Sequence, residues 1–225
     1  MIQALLGEIA AQFSPAALAS SLSAEDMVLT DAIARAGLPI DVFVLDTGRL
    51  HADTLNLVAA VRQRYGIQVS VYVPDPDAVA QYVGRHGRDA FYGDLELRQR
   101  CCEIRKVHPL RRALAGKRAW ITGQRKDPNT RAGLAVREHD AIHRLEKFNP
   151  LADWSEAQVW DYIREHAVPY NRLYDQGYRS IGCAPCTRPV LPHEDVRAGR
   201  WWWESADKKE CGLHVVKIGA KAHAG

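Results

Sequence analysis

The feature that most constrains the fold is the alternation of short β-branched runs with segments of helical periodicity. IDVFVLD at 40–46, IQVSVYVP at 67–74 and RAWITG at 118–123 have the length and composition of buried strands. Apolar residues recur at helical spacing in five further segments, namely 2–12, 24–37, 51–66, 77–87 and 155–166. Strands that alternate with helices predict an α/β fold with a central, mostly parallel sheet covered on both faces.

Three polar loops follow strands or apolar runs of this predicted sheet. They are SSLSAED at 20–26, LDTGRLH at 45–51 and TGQRKDPNTR at 122–131. Ligands of parallel α/β sheets bind beyond the carboxyl ends of the strands, so we expect these loops on one rim. SSLSAED is similar to a phosphate loop, although it lacks the G-K-[ST] of a Walker A motif. The simpler interpretation is a helix N-cap at Ser23, with Asp26 three residues later.

The five cysteines divide into four plus one. Cys101 and Cys102 are neighbours, and Cys183 and Cys186 form a Cys-x-x-Cys motif. A disulfide between sequence neighbours would be strained and would close almost no loop. Four thiols suit a zinc ion or a [4Fe–4S] cluster, and a vicinal pair is unusual for zinc, which favours the cluster. A redox dithiol at the Cys-x-x-Cys motif is the alternative.

The fifth cysteine, Cys211, follows Lys208 and Lys209 and lies near His214. Cationic neighbours lower the pKa of a thiol and favour the nucleophilic thiolate. This local pattern is consistent with a catalytic nucleophile, and an inert surface cysteine is the competing interpretation.

Basic residues concentrate beside the cysteine motifs and the rim loops. They are Arg105, Lys106, Arg125, Lys126, Arg131, Arg197 and Arg200. Guanidinium forks suit phosphate and sulfate oxyanions, so their grouping predicts an anionic substrate. A net charge of +3 does not indicate a nucleic-acid partner. The tryptophan run at 201–203 is interpreted as a packed anchor rather than as a lid over a nucleotide.

Length and composition predict a globular protein. A chain of 225 residues suits one large domain with an appendage. The stretch at 1–18 has no basic n-region, and no apolar run reaches the ~20 residues of a membrane span. We therefore expect a cytoplasmic protein without a membrane partner. The oligomeric state is left open, a homo-oligomer included.

Taken together, the motifs resemble the assimilatory adenosine 5′-phosphosulfate (APS) reductases, which belong to the PAPS reductase family. The resemblance extends over SSLSAED, LDTGRLH, CCEIRK, TGQRKD, EKFNPL, SIGCAPCTRPV, GRWWWE and KKECGLH. It departs at Ser23, where the family often has glycine. Reductases of the 3′-phosphorylated substrate PAPS generally lack the four cluster cysteines, so the resemblance implies APS. A PAPS reductase is the alternative, followed by an ATP pyrophosphatase-type thiolation enzyme.

The resemblance also implies how the chain is organised. It implies a Rossmann-like, adenine nucleotide α-hydrolase-like fold. Residues 1–190 would form the nucleotide-binding domain, which carries a [4Fe–4S] cluster on Cys101, Cys102, Cys183 and Cys186. Residues 191–225 would form a mobile C-terminal segment that carries the nucleophile, Cys211.

The resemblance implies substrate contacts and a reaction. Lys106, Arg131, Arg197 and Arg200 would hold the phosphosulfate. Adenosine would lie against the rim residues Ser21, Ser23, Leu45, Asp46 and Gly123. APS would be reduced to sulfite and AMP through an S-sulfocysteine, which thioredoxin or a glutaredoxin-like dithiol would resolve, in sulfate assimilation for cysteine biosynthesis.

Overall fold

The computed structural model describes residues 2–126 and 131–205, which are built around a six-stranded sheet. Its strands are β1 (Ala16–Ser20), β2 (Ile40–Leu45), β3 (Val69–Tyr72), β4 (Ala119–Ile121), β5 (Arg137–Asp140) and β6 (Leu145–Phe148). Their spatial order is β3-β2-β1-β4-β6-β5. Only the β5–β6 pair is antiparallel within this sheet. The predicted α/β fold with a mostly parallel sheet is confirmed.

Helices cover both faces of the sheet. They are α1 (Ile2–Gln12), α2 (Ala24–Arg35), α3 (Ala52–Tyr65), α4 (Pro76–His86), α5 (Leu95–Cys102), α6 (His108–Leu114) and α7 (Glu156–Glu165). Successive strand residues point to opposite faces. Val42 and Val44 therefore join the core under α1, α2, α3 and α7, whereas Phe43 joins a second core under α6. Across the described ranges, no helix combines the length and apolarity that crossing a membrane would require.

The sequence pattern does not predict the hairpin formed by β5 and β6. β5 reads Arg-Glu-His-Asp and has no apolar face, so its periodicity resembles that of a loop. Ion pairs to β6 accompany its backbone ladder: Arg137 lies 2.7 Å from Glu146, and Lys147 lies 2.8 Å from Glu138. Such a polar strand is suited to the edge of a sheet, where one side faces solvent.

The helical region after Asp94 contains a π-helical turn at Glu103–Val107, between α5 and α6. Pro109 does not break the helical region, because it lies in the first turn of α6, where its missing N–H is tolerated. The irregularity occurs upstream, where the N–H of His108 donates to the carbonyl of Glu103, five residues back. Isolated π-turns are frequent at functional sites; this one begins directly after the cysteine pair and carries Lys106.

The predicted helix N-cap at Ser23 is confirmed. Ser23 caps α2 with an extended backbone, φ −69° and ψ 166°, and its side chain accepts the N–H of Asp26. The positive φ in this loop belongs to Leu22, at 61°, so serine in place of the family's glycine is not strained at position 23. Ser155 caps α7 in a capping box with Gln158.

The first part of the predicted C-terminal segment packs against the helical region. Trp201 is 1% exposed, and the guanidinium groups of Arg98 and Arg200 each lie 4.6 Å from its ring centroid. Glu204 accepts two hydrogen bonds of 2.9 Å from Arg98. The interpretation of the tryptophan run as a packed anchor is therefore confirmed for Trp201. Cys211 and the rest of 206–225 lie outside the described residues, and the boundary after residue 190 stays a prediction.

Candidate functional site

A cavity of about 490 Å³ opens at the carboxyl ends of β1, β2 and β4, and residues of all three predicted rim loops line it. Eight of the predicted substrate-binding residues lie in its wall: Ser21, Ser23, Leu45, Lys106, Gly123, Arg131, Arg197 and Arg200. The structure does not bring the remaining one, Asp46, into the wall. The carboxylate of Asp46 instead accepts the backbone N–H of Gly48 at 2.8 Å.

Asp26 joins two of the rim loops. Its carboxylate accepts the N–H and the hydroxyl of Ser21 at 2.7 and 2.6 Å, and the hydroxyl of Ser23 at 3.2 Å. It also accepts the N–H of Gly123 at 3.0 Å. Burial raises the pKa of Asp26 to about 6, although the hydrogen bonds from Ser21 act in the opposite direction. Sequence reasoning assigned Asp26 only to a helix first turn and missed this role.

Gly123 lies too close to α2 to carry a side chain. A Cβ at this position would collide with the carboxylate of Asp26 and would lie 2.9 Å from the Cβ of Glu25. The end of β4 thereby rests directly against the first turn of α2, which keeps the Gly123 N–H within reach of Asp26. A glycine at the end of an apolar run is the sequence feature that indicates such a close approach.

The cations in the cavity wall differ in their pairing. Arg125 lies 2.8 Å from Glu25, and Arg179 lies 2.7 Å from Glu156. Within the described residues, by contrast, the buried Nε of Arg131 has no hydrogen-bond partner. A buried donor of this kind is costly unless a ligand satisfies it, so Arg131 fits an anion in the cavity. Sequence reasoning missed Arg179. This residue lies shortly before Cys183, so it could have been selected, as Arg105 was, for its position beside a cysteine motif.

A second, smaller cavity lies beside the first, and all four predicted cluster cysteines line it: Cys101, Cys102, Cys183 and Cys186. Lys106 lines both cavities. Within 2–126 and 131–205, no three His, Cys, Asp or Glu side chains are grouped so that they could hold a single metal ion. The structure thus places the four thiols around one space, next to the nucleotide-sized cavity.

The loop after β2 connects the two cavities. Thr47 lines the larger one, and its hydroxyl lies 3.2 Å from the sulfur of Cys183. Leu50 pairs with Cys183 in an isolated β-bridge, and the N–H of Ala184 donates to the carbonyl of Arg49 at 2.7 Å. The Cys-x-x-Cys loop is therefore held by the same chain segment that forms part of the wall of the larger cavity.

Burial and neighbouring cations have opposite effects on the pKa values of the cysteine thiols. Burial and the neighbouring Cys183 raise the pKa of Cys186 to about 12, although the charges of Lys106 and Arg200 act in the opposite direction. Burial likewise raises the pKa of Cys101, and Arg105 lowers it. Thiols in such a site bind metal with release of their protons, and the adjacent cations then compensate the thiolate charge.

The chain matches the model of the phosphoadenosine phosphosulfate reductase domain over residues 15–189. It is 56% identical to the adenosine 5′-phosphosulfate reductase of Allochromatium vinosum, over 93% of this chain and 82% of the relative. It is 54% identical to the adenosine 5′-phosphosulfate reductase of Burkholderia cepacia, over 96% of this chain and 87% of the relative.

The fold matches a crystal structure of phosphoadenylyl-sulfate (PAPS) reductase from Candida auris in complex with phosphate. The TM-score is 0.72 at 30% sequence identity, and the match covers 84% of this chain and 90% of that chain. This likeness confirms the predicted Rossmann-like, adenine nucleotide α-hydrolase-like fold. The domain match and the two relatives lead to one conclusion about the family: the chain belongs to the phosphoadenosine phosphosulfate reductase family.

Proposed function

We propose that this protein reduces adenosine 5′-phosphosulfate to sulfite and AMP. The observation that carries the proposal is the position of Lys106, which lies in the wall of both the nucleotide-sized cavity and the four-cysteine cavity. One cationic side chain can therefore act on an anionic substrate and on metal-bound thiolates together. Two relatives more than 50% identical over most of the chain carry the name of this activity, which supports the same substrate.

The cavity suits a sulfonucleotide because its wall combines two kinds of chemistry. Leu45 ends β2 and Gly123 follows β4, where backbone groups can hydrogen-bond to an adenine ring. Lys106, Arg197 and Arg200, in the same wall, supply positive charge for the phosphosulfate. Held charges of this kind stabilise the negative charge that moves onto the leaving phosphate during attack on sulfur.

The four cysteines fit a [4Fe–4S] cluster. In such a cluster each cysteine binds a different iron, so the sulfurs surround a space and need not converge on a single ion. The cavity wall also carries Arg98, Arg105 and Lys106, whose charges compensate an anionic cluster. When bound, the cluster would supply a structural and electrostatic centre, because the electrons of the reaction come from thiols.

In the proposed reaction, the Cys211 thiolate attacks the sulfur of APS. A sulfur–sulfur bond forms, the bond from sulfur to the phosphate oxygen breaks, and AMP leaves with the electron pair. A thiolate of thioredoxin, or of a glutaredoxin-like dithiol, then attacks the Cys211 sulfur and releases sulfite. The second thiol of the dithiol resolves the mixed disulfide, so that Cys211 returns as a thiol and the donor is oxidised. We assign Cys211 to a C-terminal segment, 191–225, that brings it to the substrate.

Sulfur-labelled APS tests this reaction. Without a dithiol, one equivalent of label should remain on the protein, released as sulfite when reduced thioredoxin is added. Cys211→Ser should acquire no label, whereas Cys186→Ser tests the cluster and not the nucleophile. Label retained by Cys211→Ser would overturn the assignment of the nucleophile. Sulfite formation without any labelled protein would overturn the covalent intermediate.

PAPS is the second candidate substrate, because the Candida auris structure is that of a PAPS reductase with the same fold. The ratio of kcat/KM for APS to that for PAPS decides between them, and we expect it to favour APS. Pyrophosphate release from ATP would instead indicate a thiolation enzyme. Each assay uses the iron-loaded protein, purified anaerobically, so that the three substrates are compared in one preparation.

A further inference from the structure

The guanidinium of Arg200 lies between an aromatic ring and the backbone of the Cys-x-x-Cys loop. On one side, its Cζ is 4.6 Å from the ring centroid of Trp201. On the other side lies Gly182, the residue directly before Cys183. One terminal nitrogen, Nη1, donates to the carbonyl of Ile181 at 3.2 Å. Arg200 is 8% exposed and lines the nucleotide-sized cavity.

The space that this guanidinium occupies exists because residue 182 has no side chain. A Cβ at Gly182 would lie 2.6 Å from Cζ, 2.7 Å from Nη2 and 3.0 Å from Nη1 of Arg200. All three atoms would therefore be closer than van der Waals contact allows. Any residue other than glycine would push the guanidinium off the backbone, toward the Trp201 ring or into the cavity.

The same loop is tied to the cysteines by a short series of hydrogen bonds. The N–H of Gly182 donates to the hydroxyl of Thr187 at 3.1 Å, and that hydroxyl donates to the carbonyl of Cys183 at 3.0 Å. The N–H of Trp201 donates to the carbonyl of Cys186 at 3.1 Å. Thr187 also pairs with Arg200 in an isolated β-bridge. Both surfaces that confine the guanidinium thus belong to, or bond to, the Cys-x-x-Cys loop.

We infer that Gly182 is a positioning residue for substrate binding: it sets the orientation in which Arg200 meets the phosphosulfate. The inference rests on the proposed function, because it takes Arg200 as a substrate-binding cation. It goes beyond that function because it assigns the orientation of the Arg200 guanidinium to Gly182, a residue next to the Cys-x-x-Cys motif. A guanidinium fork bonds two oxyanion oxygens only in a defined plane, so a change in its tilt weakens binding without removing its charge.

The inference predicts that Gly182→Ala lowers the affinity for APS without lowering the stability of the protein. The three atoms nearest to a Cβ at Gly182 all belong to the end of the Arg200 side chain, and none of them is backbone. The φ of Gly182 is also outside the left-handed region, so alanine fits the backbone. Gly182→Ala should therefore leave the thermal unfolding midpoint and the iron content unchanged. Substrate affinity should fall, since a charge-assisted hydrogen bond is weakened and its loss is worth about 10-fold or more in Kd.

The test measures the Kd of APS by calorimetry in the iron-loaded protein, with Cys211→Ser present to prevent turnover. Gly84→Ala is the matched control, since the same added methyl group there meets nothing within 4 Å. We expect a Kd raised about 10-fold or more in Gly182→Ala and unchanged in Gly84→Ala. An unchanged Kd in Gly182→Ala overturns the inference, and so does a loss that accompanies a lowered unfolding midpoint.

A double-mutant cycle with Arg200 identifies the mechanism. Arg200→Ala alone should weaken APS binding, and Gly182→Ala added to it should cost nothing further. Additive losses would overturn the inference while leaving the substrate role of Arg200 intact. Unweakened binding in Arg200→Ala would instead overturn that role, and with it the proposed function of this cation. Arg200→Lys, which keeps the charge but lacks the planar fork, should likewise remove most of the effect of Gly182→Ala.

Discussion

Asp26→Asn should abolish one component of the pH dependence of stability. Asp26 is 4% exposed, and its carboxylate accepts hydrogen bonds from Ser21, Ser23 and Gly123. Burial raises its pKa from 3.8 to about 6, because removing the charged form from water outweighs the hydrogen bonds that favour it. Asparagine has nearly the same shape but does not ionise in this range. The difference between the two proteins therefore reports the titration of Asp26 alone.

Proton linkage gives the direction in which the free energy of unfolding changes with pH. Between the unfolded and the folded pKa, the folded protein binds more protons than the unfolded chain, so stability falls as the pH rises. This contribution is fully present below pH 3.8 and is lost as the pH rises through about 6. For these two pKa values, linkage gives a loss of about 1.4 kcal/mol in the free energy of unfolding between pH 5 and pH 7.5.

Urea unfolding of both proteins under anaerobic conditions, from pH 5 to pH 7.5, measures this difference. The unmutated protein should lose about 1.4 kcal/mol more than Asp26→Asn across the range, since other groups cancel in the comparison. Asp161→Asn, at an exposed site on α7, is the control and should retain the slope of the unmutated protein. Parallel curves for Asp26→Asn and the unmutated protein would refute the reasoning.

Three further substitutions test the packing around the cysteines. Glu204→Gln should lower the free energy of unfolding in urea by about 3 kcal/mol, because it leaves the buried Arg98 without its paired carboxylate; a change below 1 kcal/mol would contradict the assigned burial. Gly199→Ala should lower the thermal midpoint strongly, in contrast to Gly182→Ala, since its Cβ would collide with the backbone carbonyl of Arg188. Cys186→Ser should lose bound iron and the absorbance near ~400 nm, and undiminished iron would remove this residue from the ligand set.

Local patterns in the sequence were sufficient to predict most of the sheet and its rim. Strands β2, β3 and β4 lie in short, mostly apolar runs, and β2 and β3 are rich in valine. The edge that their carboxyl ends share follows from their parallel connection. The caps at Ser23 and Ser155 depend only on residues three positions away, so they too could be predicted. The hairpin strand β5 could not, because its pairing with β6 uses backbone groups and ion pairs that leave no apolar period.

The cysteine motifs and the cations were visible as residue types, but their partners were not. Asp26 and Gly123 are 97 positions apart in the chain and meet only because β1 and β4 are neighbours in the sheet. Gly182 and Arg200 meet because the loop after β2 holds the Cys-x-x-Cys turn against the tryptophan anchor. The sequence by itself determined the chemical groups and the class of fold, since these depend on composition and local period. Only the tertiary structure decided which backbone lies against which side chain, because such contacts depend on distances between segments that no local pattern encodes.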